Sequence, residues 1–291
     1  MPNWVLTDSD ELGKNVGTAT IIFSLTAPGA PILKDRQASR ALARQVNKEM
    51  AHVRDQSPQK YGFFAALPSL LDTEGALEEI AYALDVLKAD GVTVFTRYGD
   101  GHYYLGNDVY QPIWKELDSR KAVVFVHPTH ALDTNFANRY VLQPFIDYPH
   151  ETTRTAMDLI FSNVKRNNPN CKVILSHAGG NLPWLIKRVY NIIYGETIYG
   201  PKPAHEILED VKTFYFDLAL SSSHEVLRLL LDSVPHDHIL YGSDFPYARQ
   251  PGIVNLVNEL ESFPMDQELR DKINFKNAHT LIPRLALALS Q

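Results

Sequence analysis

Val123-Val124-Phe125-Val126-His127-Pro128 is the stretch that decides how this chain is read. Four consecutive apolar residues make a strand that must be buried on both faces, as strands of a helix-covered parallel sheet are. A histidine closes the run, and the proline after it cannot enter a helix interior. The pattern recurs twice. Val173-Ile174-Leu175-Ser176-His177 leads into Ala178-Gly179-Gly180, and Ile239-Leu240-Tyr241-Gly242-Ser243-Asp244 leads into Phe245-Pro246. Three buried strands therefore deliver His127, His177 and Asp244 at one end.

The rest of the chain alternates between the two periods. Apolar runs predict strands at 18–25, 61–68, 91–96, 122–127, 172–177, 214–220 and 238–241. Helical spacing predicts helices at 35–55, 73–90 (with Thr73 as N-cap), 109–119, 152–167, 181–194, 223–232 and from about 251 onward. Residues 1–16 read as irregular, 97–108 as a loop, and 129–150 as the longest irregular stretch. No Gly-rich phosphate loop follows any strand, which argues against a dinucleotide-binding fold. The remaining architecture is a (β/α)8 TIM barrel, whose catalytic groups sit at the C-terminal ends of several strands. Only seven strands are found where such a barrel has eight. The gap falls before Thr18, so the expectation is one α/β-barrel catalytic domain over 1–291 that lacks its first strand.

Composition narrows the function classes. A chain of 291 residues suits one α/β barrel. Its net charge of −6, without a basic excess or a block of like charges, argues against nucleic acid as a partner. The lone Cys171 rules out an intramolecular disulfide and fits a reducing compartment. No apolar run approaches the roughly 20 residues that span a bilayer. Met1-Pro2-Asn3-Trp4 has no basic region followed by an apolar one, so a cytoplasmic protein is expected.

Two imidazoles and a carboxylate suit a divalent cation, Zn2+ first and Mn2+ second, with a position left open for substrate or water. A histidine ending one strand reads most simply as a hydrogen-bonded structural residue; three such groups at one end make a site. The Gly-Gly pair after His177 lets backbone approach a ligand closely. His130 and His150 read as surface-loop residues within reach of the pocket.

The three strand-end segments resemble those of the amidohydrolase-related decarboxylases typified by aminocarboxymuconate semialdehyde decarboxylase. The resemblance runs from about residue 17 to Asn277-Ala278. Ser24-Leu25-Thr26-Ala27-Pro28-Gly29 and Leu105-Gly106-Asn107-Asp108 are similar to the fungal 6-methylsalicylate decarboxylase branch. The resemblance implies that His127 and Asp244 are metal ligands and that His177 is a catalytic residue beside the metal. It also implies a further ligand pair on a first strand, His-x-His or Glu-x-His, and no such pair stands ahead of Thr18. The implied reaction is cofactor-free, metal-dependent decarboxylation of a small aromatic acid of the ortho-hydroxybenzoate type, 6-methylsalicylate to 3-methylphenol and CO2. Asp244 and His177 are then the candidates for proton transfer, Arg97 for pairing with a carboxylate, and Phe245 and Tyr247 for an aromatic wall. A homo-oligomer, most simply a C2 dimer, is expected. A metal-dependent hydrolase of the lactonase type and an inactive truncated paralogue remain alternative readings.

Overall fold

A computed structural model describes residues 2–195 and 202–288; the expectations for residues 1 and 289–291 lie outside them. The apolar runs form strands, mostly shorter than expected. In chain order these are β1 (Ile21–Ser24), β2 (Tyr61–Ala65), β3 (Gly91–Phe95), β4 (Arg97–Tyr98), β5 (Tyr103–Tyr104), β6 (Val123–His127), β7 (Lys172–Leu175), β8 (Tyr215–Asp217) and β9 (Ile239–Leu240). Seven of them pair in parallel in the order β1-β2-β3-β6-β7-β8-β9. This is the barrel order with β1 and β9 as its two unpaired edges among the described residues. The other two, β4 and β5, form a small antiparallel hairpin inside the segment read as a loop.

The helices are α1 (Leu6–Val16), α2 (Arg36–Gln56), α3 (Thr73–Ala81), α4 (Gln111–Ser119), α5 (Gln143–Phe161), α6 (Val164–Asn167), α7 (Leu182–Ile193), α8 (Ala204–Val211), α9 (His224–Ser233), α10 (Gln250–Ser262), α11 (Gln267–Asp271), α12 (Asn277–Leu281) and α13 (Pro283–Ala288). Four differences from expectation have physical causes. Residues 1–16 are not irregular, because Leu6–Val16 is helical. Its buried face is Ser9, Leu12 and Gly13, so small residues replace the apolar stripe that marks a helix in sequence. Gly17 ends it at φ 75°, the left-handed cap glycine adopts without penalty. The stretch 129–150 is irregular only to Leu142. Helix α5 starts at Gln143 and runs through Pro149, an interior proline that sequence rules treat as a stop. Asp72, not Thr73, occupies the N-cap of α3, and that helix passes into a π turn at Tyr82–Val86. Helix α8 was not expected at all.

Strand alternation sorts the core into two layers. On β6, Val124 and Val126 face outward into the large cluster shared with the helices, whereas Val123 and Phe125 join Phe64, Ile174 and Leu240 in a second cluster. That second cluster fills the barrel interior, with the Phe64 and Phe125 rings stacked at 5.7 Å. Ile282 and Leu285 plug it from the C-terminal segment. Arg284 fixes the plug by forking onto both oxygens of Asp90, a carboxylate only 2% exposed, and by donating to the carbonyls of Pro58 and Tyr61. By the same alternation His127 sits on the interior face one step above Phe125, at the top of a filled barrel.

At the open edge, α1 lies between the two ends of the sheet. Trp4 meets the Phe23 ring of β1 edge-on at 5.9 Å, and Asp10 accepts from Tyr61 Oη and pairs with Lys60. Leu12 and Val16 of α1 pack with Ala248, Ile253 and Val257 of the last barrel unit. The layer of helices is thus continuous where the layer of strands is not.

Candidate active site

His127 ends β6, whereas His177 and Asp244 lie in the turns two and four residues past β7 and β9, and both of these sit on unusual backbone. His177 and Asp244 have φ of 55° and 57°, and Ala178 has φ 53°. The left-handed region costs an L-residue roughly 1–2 kcal/mol. Strain of this kind persists where the surrounding structure over-determines it, and it clusters at functional sites. At the His177 turn the surroundings are tight. A Cβ on Gly180 would lie 2.0 Å from the Pro149 carbonyl oxygen, and one on Gly179 would lie 2.9 Å from the Phe216 ring. The Gly-Gly pair therefore admits the protein's own α5 and β8. The close approach these glycines permit is made to these two elements. Thr153 ties the two segments together, accepting from Asn181 N–H and donating to Pro149 O.

His127 is buried in a cage of ring edges: Phe95 at 6.0 Å, Phe125 at 6.3 Å and Tyr148 at 6.3 Å. Its Nδ1 lies 2.6 Å from the Pro128 carbonyl, which can only accept, so Nδ1 carries the hydrogen. Nε2 is then the lone-pair nitrogen, and Thr26 Oγ1 lies 3.3 Å from it. Burial pushes the His127 pKa down to about 4, against the pull of Asp244 and with the push of His177. The ring is neutral at pH 7, in the tautomer that presents Nε2 as a donor atom.

His177 Nε2 is 3.8 Å from Asp244 Oδ2. Burial works to lower its pKa, but the carboxylates of Asp244 and Asp217 outweigh that and hold it above the usual histidine range. Asp217, at the end of β8, accepts from the backbone N–H of His177 at 3.1 Å and of Ala219 at 2.9 Å. Burial pushes its own carboxyl up, opposed by His177 and by the two N–H groups. Three strand ends thus converge on His127, His177 and Asp244, with Asp217 added as a fourth. Sequence reasoning passed over Asp217 because the apolar run continues past it as Leu218-Ala219-Leu220, which places it mid-strand, whereas β8 ends at it.

Helix α5 supplies one wall. Gln143 Oε1 binds His130 Nδ1, and the His130 ring meets Tyr148 at 5.7 Å. Tyr148 also faces His127, and burial together with the negative charge of Asp244 and the Tyr247 phenol raises its pKa. Arg97 follows β3. Its Nε donates to His130 O and its Nη1 to Gly99 O, with Glu151 Oε2 3.7 Å behind. Phe245, next to Asp244 in the chain, is partly buried. It packs with Leu12, Val16, Ala248 and Ile253 in the seam between α1 and α10. Tyr247, half-exposed, is the aromatic residue of that segment that approaches Tyr148. His224 is held by Glu259 O and Ser262 Oγ against the Phe263 ring, a structural setting. A cleft of about 490 Å³ lies at the opposite end of the barrel, lined by Lys88, Arg120, Lys121 and Arg284, and shares no residue with this site.

The donor set suits a divalent cation in kind. A neutral imidazole Nε2 with its other nitrogen anchored, beside a carboxylate, is ordinary metal-ligand chemistry. In number it is short: no group of three or more His, Cys, Asp or Glu placed to hold a metal occurs among the described residues. His127 and Asp244 fit two positions of a coordination shell.

Comparison with known proteins defines the class. Residues 6–284 match the family described as amidohydrolase, and the chain belongs to that family. Among curated relatives, the 6-methylsalicylic acid decarboxylase of Penicillium expansum is 45% identical over 98% of this chain and 88% of its own length. The 6-methylsalicylic acid decarboxylase of Aspergillus aculeatus is 46% identical over 99% of this chain and 89% of its own. Among solved structures, a dihydroxybenzoic acid decarboxylase from Polaromonas sp. JS666, with bound manganese and the inhibitor 2-nitroresorcinol, superposes with a TM-score of 0.87 at 24% identity. That likeness covers 96% of this chain and 86% of the other.

Proposed function

We propose that this protein is a carboxy-lyase that removes the carboxylate of an ortho-hydroxybenzoic acid without an organic cofactor, with 6-methylsalicylate as substrate and 3-methylphenol and CO2 as products. The observation that carries the reading is the pairing of His177 with Asp244 beside the neutral ring of His127. The relatives named 6-methylsalicylic acid decarboxylase support the choice of substrate.

The reaction adds a proton to the ring carbon that bears the carboxylate. The carbon–carbon bond then breaks, its electron pair restores the aromatic ring, and CO2 leaves. His177 donates the proton from Nε2, with Asp244 as the group that shares and replenishes it. Asp217 holds the His177 backbone in its left-handed turn, so the imidazole reaches the ring carbon from a fixed direction. Arg97 receives the carboxylate or the ortho oxygen with Nη2, its Nε and Nη1 being held by the His130 and Gly99 carbonyls. Tyr148 and Tyr247 flank the aromatic ring, and His127 with Asp244 would hold a divalent cation. Such a cation, Zn2+ or Mn2+, would supply positive charge that stabilises the negative charge developing on the substrate.

Incubating purified protein with 6-methylsalicylate and Mn2+ or Zn2+, then separating products by chromatography, tests the reading. Appearance of 3-methylphenol is expected. Its absence, with turnover of a lactone panel under the same conditions, would replace the decarboxylase by a hydrolase.

A further inference from the structure

We propose that Glu151 is a positioning residue that holds Arg97 ready to receive the substrate's carboxylate, through a network running from α5 to the β4–β5 hairpin. The proposal rests on the reading of Arg97 given above. Glu151 is only 2% exposed. Its two oxygens accept from Tyr104 Oη at 2.9 and 3.0 Å, Arg97 Nε lies at 3.7 Å and Arg154 Nε at 4.0 Å. A buried carboxylate served by one phenol hydroxyl is an expensive arrangement, because desolvation is only partly offset. Hydrophobic residues of similar size would serve folding as well or better.

The two arginines beside it differ in setting. Arg154 is 44% exposed and its guanidinium lies over the Tyr104 ring, so its pairing is a surface one. Arg97 is 10% exposed and spends Nε and Nη1 on the carbonyls of His130 and Gly99. Its Nη2 donates to nothing among the described residues. Two carbonyls fix the plane of the guanidinium, and Glu151 sets a counter-charge behind it. Tyr104 locks the carboxylate by bonding both oxygens, and the hairpin that carries Tyr104 also carries Arg97. The element read as a loop thus aligns a cation at the rim that His127 and His130 share.

Binding of salicylate and of 3-methylphenol to the full-length chain, measured by calorimetry, tests this in a double-mutant cycle. The first probe has the carboxylate and the second lacks it. Arg97→Met is expected to weaken salicylate about tenfold, as loss of a charge-assisted hydrogen bond does, and to leave 3-methylphenol within about twofold. Glu151→Gln is expected to weaken salicylate about fivefold in the native background and by less than about 1.5-fold in Arg97→Met, since residues acting as a unit are non-additive. Equal loss from Glu151→Gln in both backgrounds, or no loss in either, overturns the positioning role and leaves the reading of Arg97 standing. Unchanged salicylate affinity in Arg97→Met overturns both. If Glu151→Gln does not fold, Tyr104→Phe takes its place. It is expected to weaken salicylate about twofold in the native background alone, and equal loss in both backgrounds again counts against the proposal.

Discussion

Replacing Asp217 separates what holds the His177 turn from what makes it active. Asp217 accepts two backbone N–H groups, those of His177 and Ala219, and is itself buried. Asp217→Ala leaves both donors without an acceptor. Each costs about 1–3 kcal/mol when buried and unpaired, so a loss of about 2–6 kcal/mol is expected. Release of His177 from its left-handed φ returns about 1–2 kcal/mol, which brings the net to roughly 0–5 kcal/mol with a midpoint of about 2.5 kcal/mol. At about 2–4 °C per kcal/mol for a chain of this size, the melting temperature falls by several degrees or more. Asp217→Asn keeps an acceptor of the same shape for both N–H groups but loses the charge, so its stability loss stays near ~1 kcal/mol. Its catalytic loss is larger than its stability loss implies. The charge of Asp217 supports protonation of His177, and the proton donor is weakened without it. A fall in kcat of at least about tenfold is expected, within the range for a perturbed general acid. Thermal melts and CO2 release measured on the same preparations decide the matter. If Asp217→Asn and Asp217→Ala lose stability equally, or if Asp217→Asn keeps native kcat, the reasoning fails.

Other expectations follow from the same geometry. Arg284→Met strands the buried Asp90 carboxylate, and a loss of about 3–5 kcal/mol in chemical denaturation is expected with kcat little changed, because the plug lies at the far end of the barrel. Tyr148→Phe leaves stability within about 0.5 kcal/mol, since its hydroxyl has no hydrogen-bond partner among the described residues, but lowers kcat/KM about tenfold in steady-state assays. His127→Ala and Asp244→Asn each remove Mn2+ binding in calorimetry, whereas His177→Asn retains it. Arg40 holds the Asp72 carboxyl below its ordinary 3.8 through a hydrogen bond, outweighing burial. A depressed carboxylate contributes stability above its unfolded pKa and loses it as pH falls through the folded one. Asp72→Asn should therefore flatten the stability profile below about pH 4, and an unaltered acid limb would refute that.

Much of this site was legible because parallel strands buried on both faces advertise themselves as apolar runs. A polar residue closing such a run stands at the catalytic rim. That logic located His127, His177 and Asp244 but not Asp217, whose apolar run continues as Leu218-Ala219-Leu220 although β8 ends at it. The groups on α5 left no such mark. Glu151 and Tyr148 sit in a helix that Pro149 conceals, and their roles come from residues distant in sequence, such as Arg97 for Glu151 and His127 for Tyr148. Helix α1 was hidden because its buried face is Ser9, Leu12 and Gly13, which pack by smallness. Phe245 packs in the α1–α10 seam, a neighbourhood its place beside Asp244 in the sequence does not reveal.

The central claim is that His177 delivers the proton that replaces the carboxylate. Turnover of 6-methylsalicylate in D2O, followed by NMR of the product, tests it most directly. The account predicts 3-methylphenol carrying one deuterium, on the ring carbon flanked by the hydroxyl- and methyl-bearing carbons, and no such product from His177→Asn while its Mn2+ binding persists. Formation of the same deuterated product by His177→Asn at the native rate would contradict it.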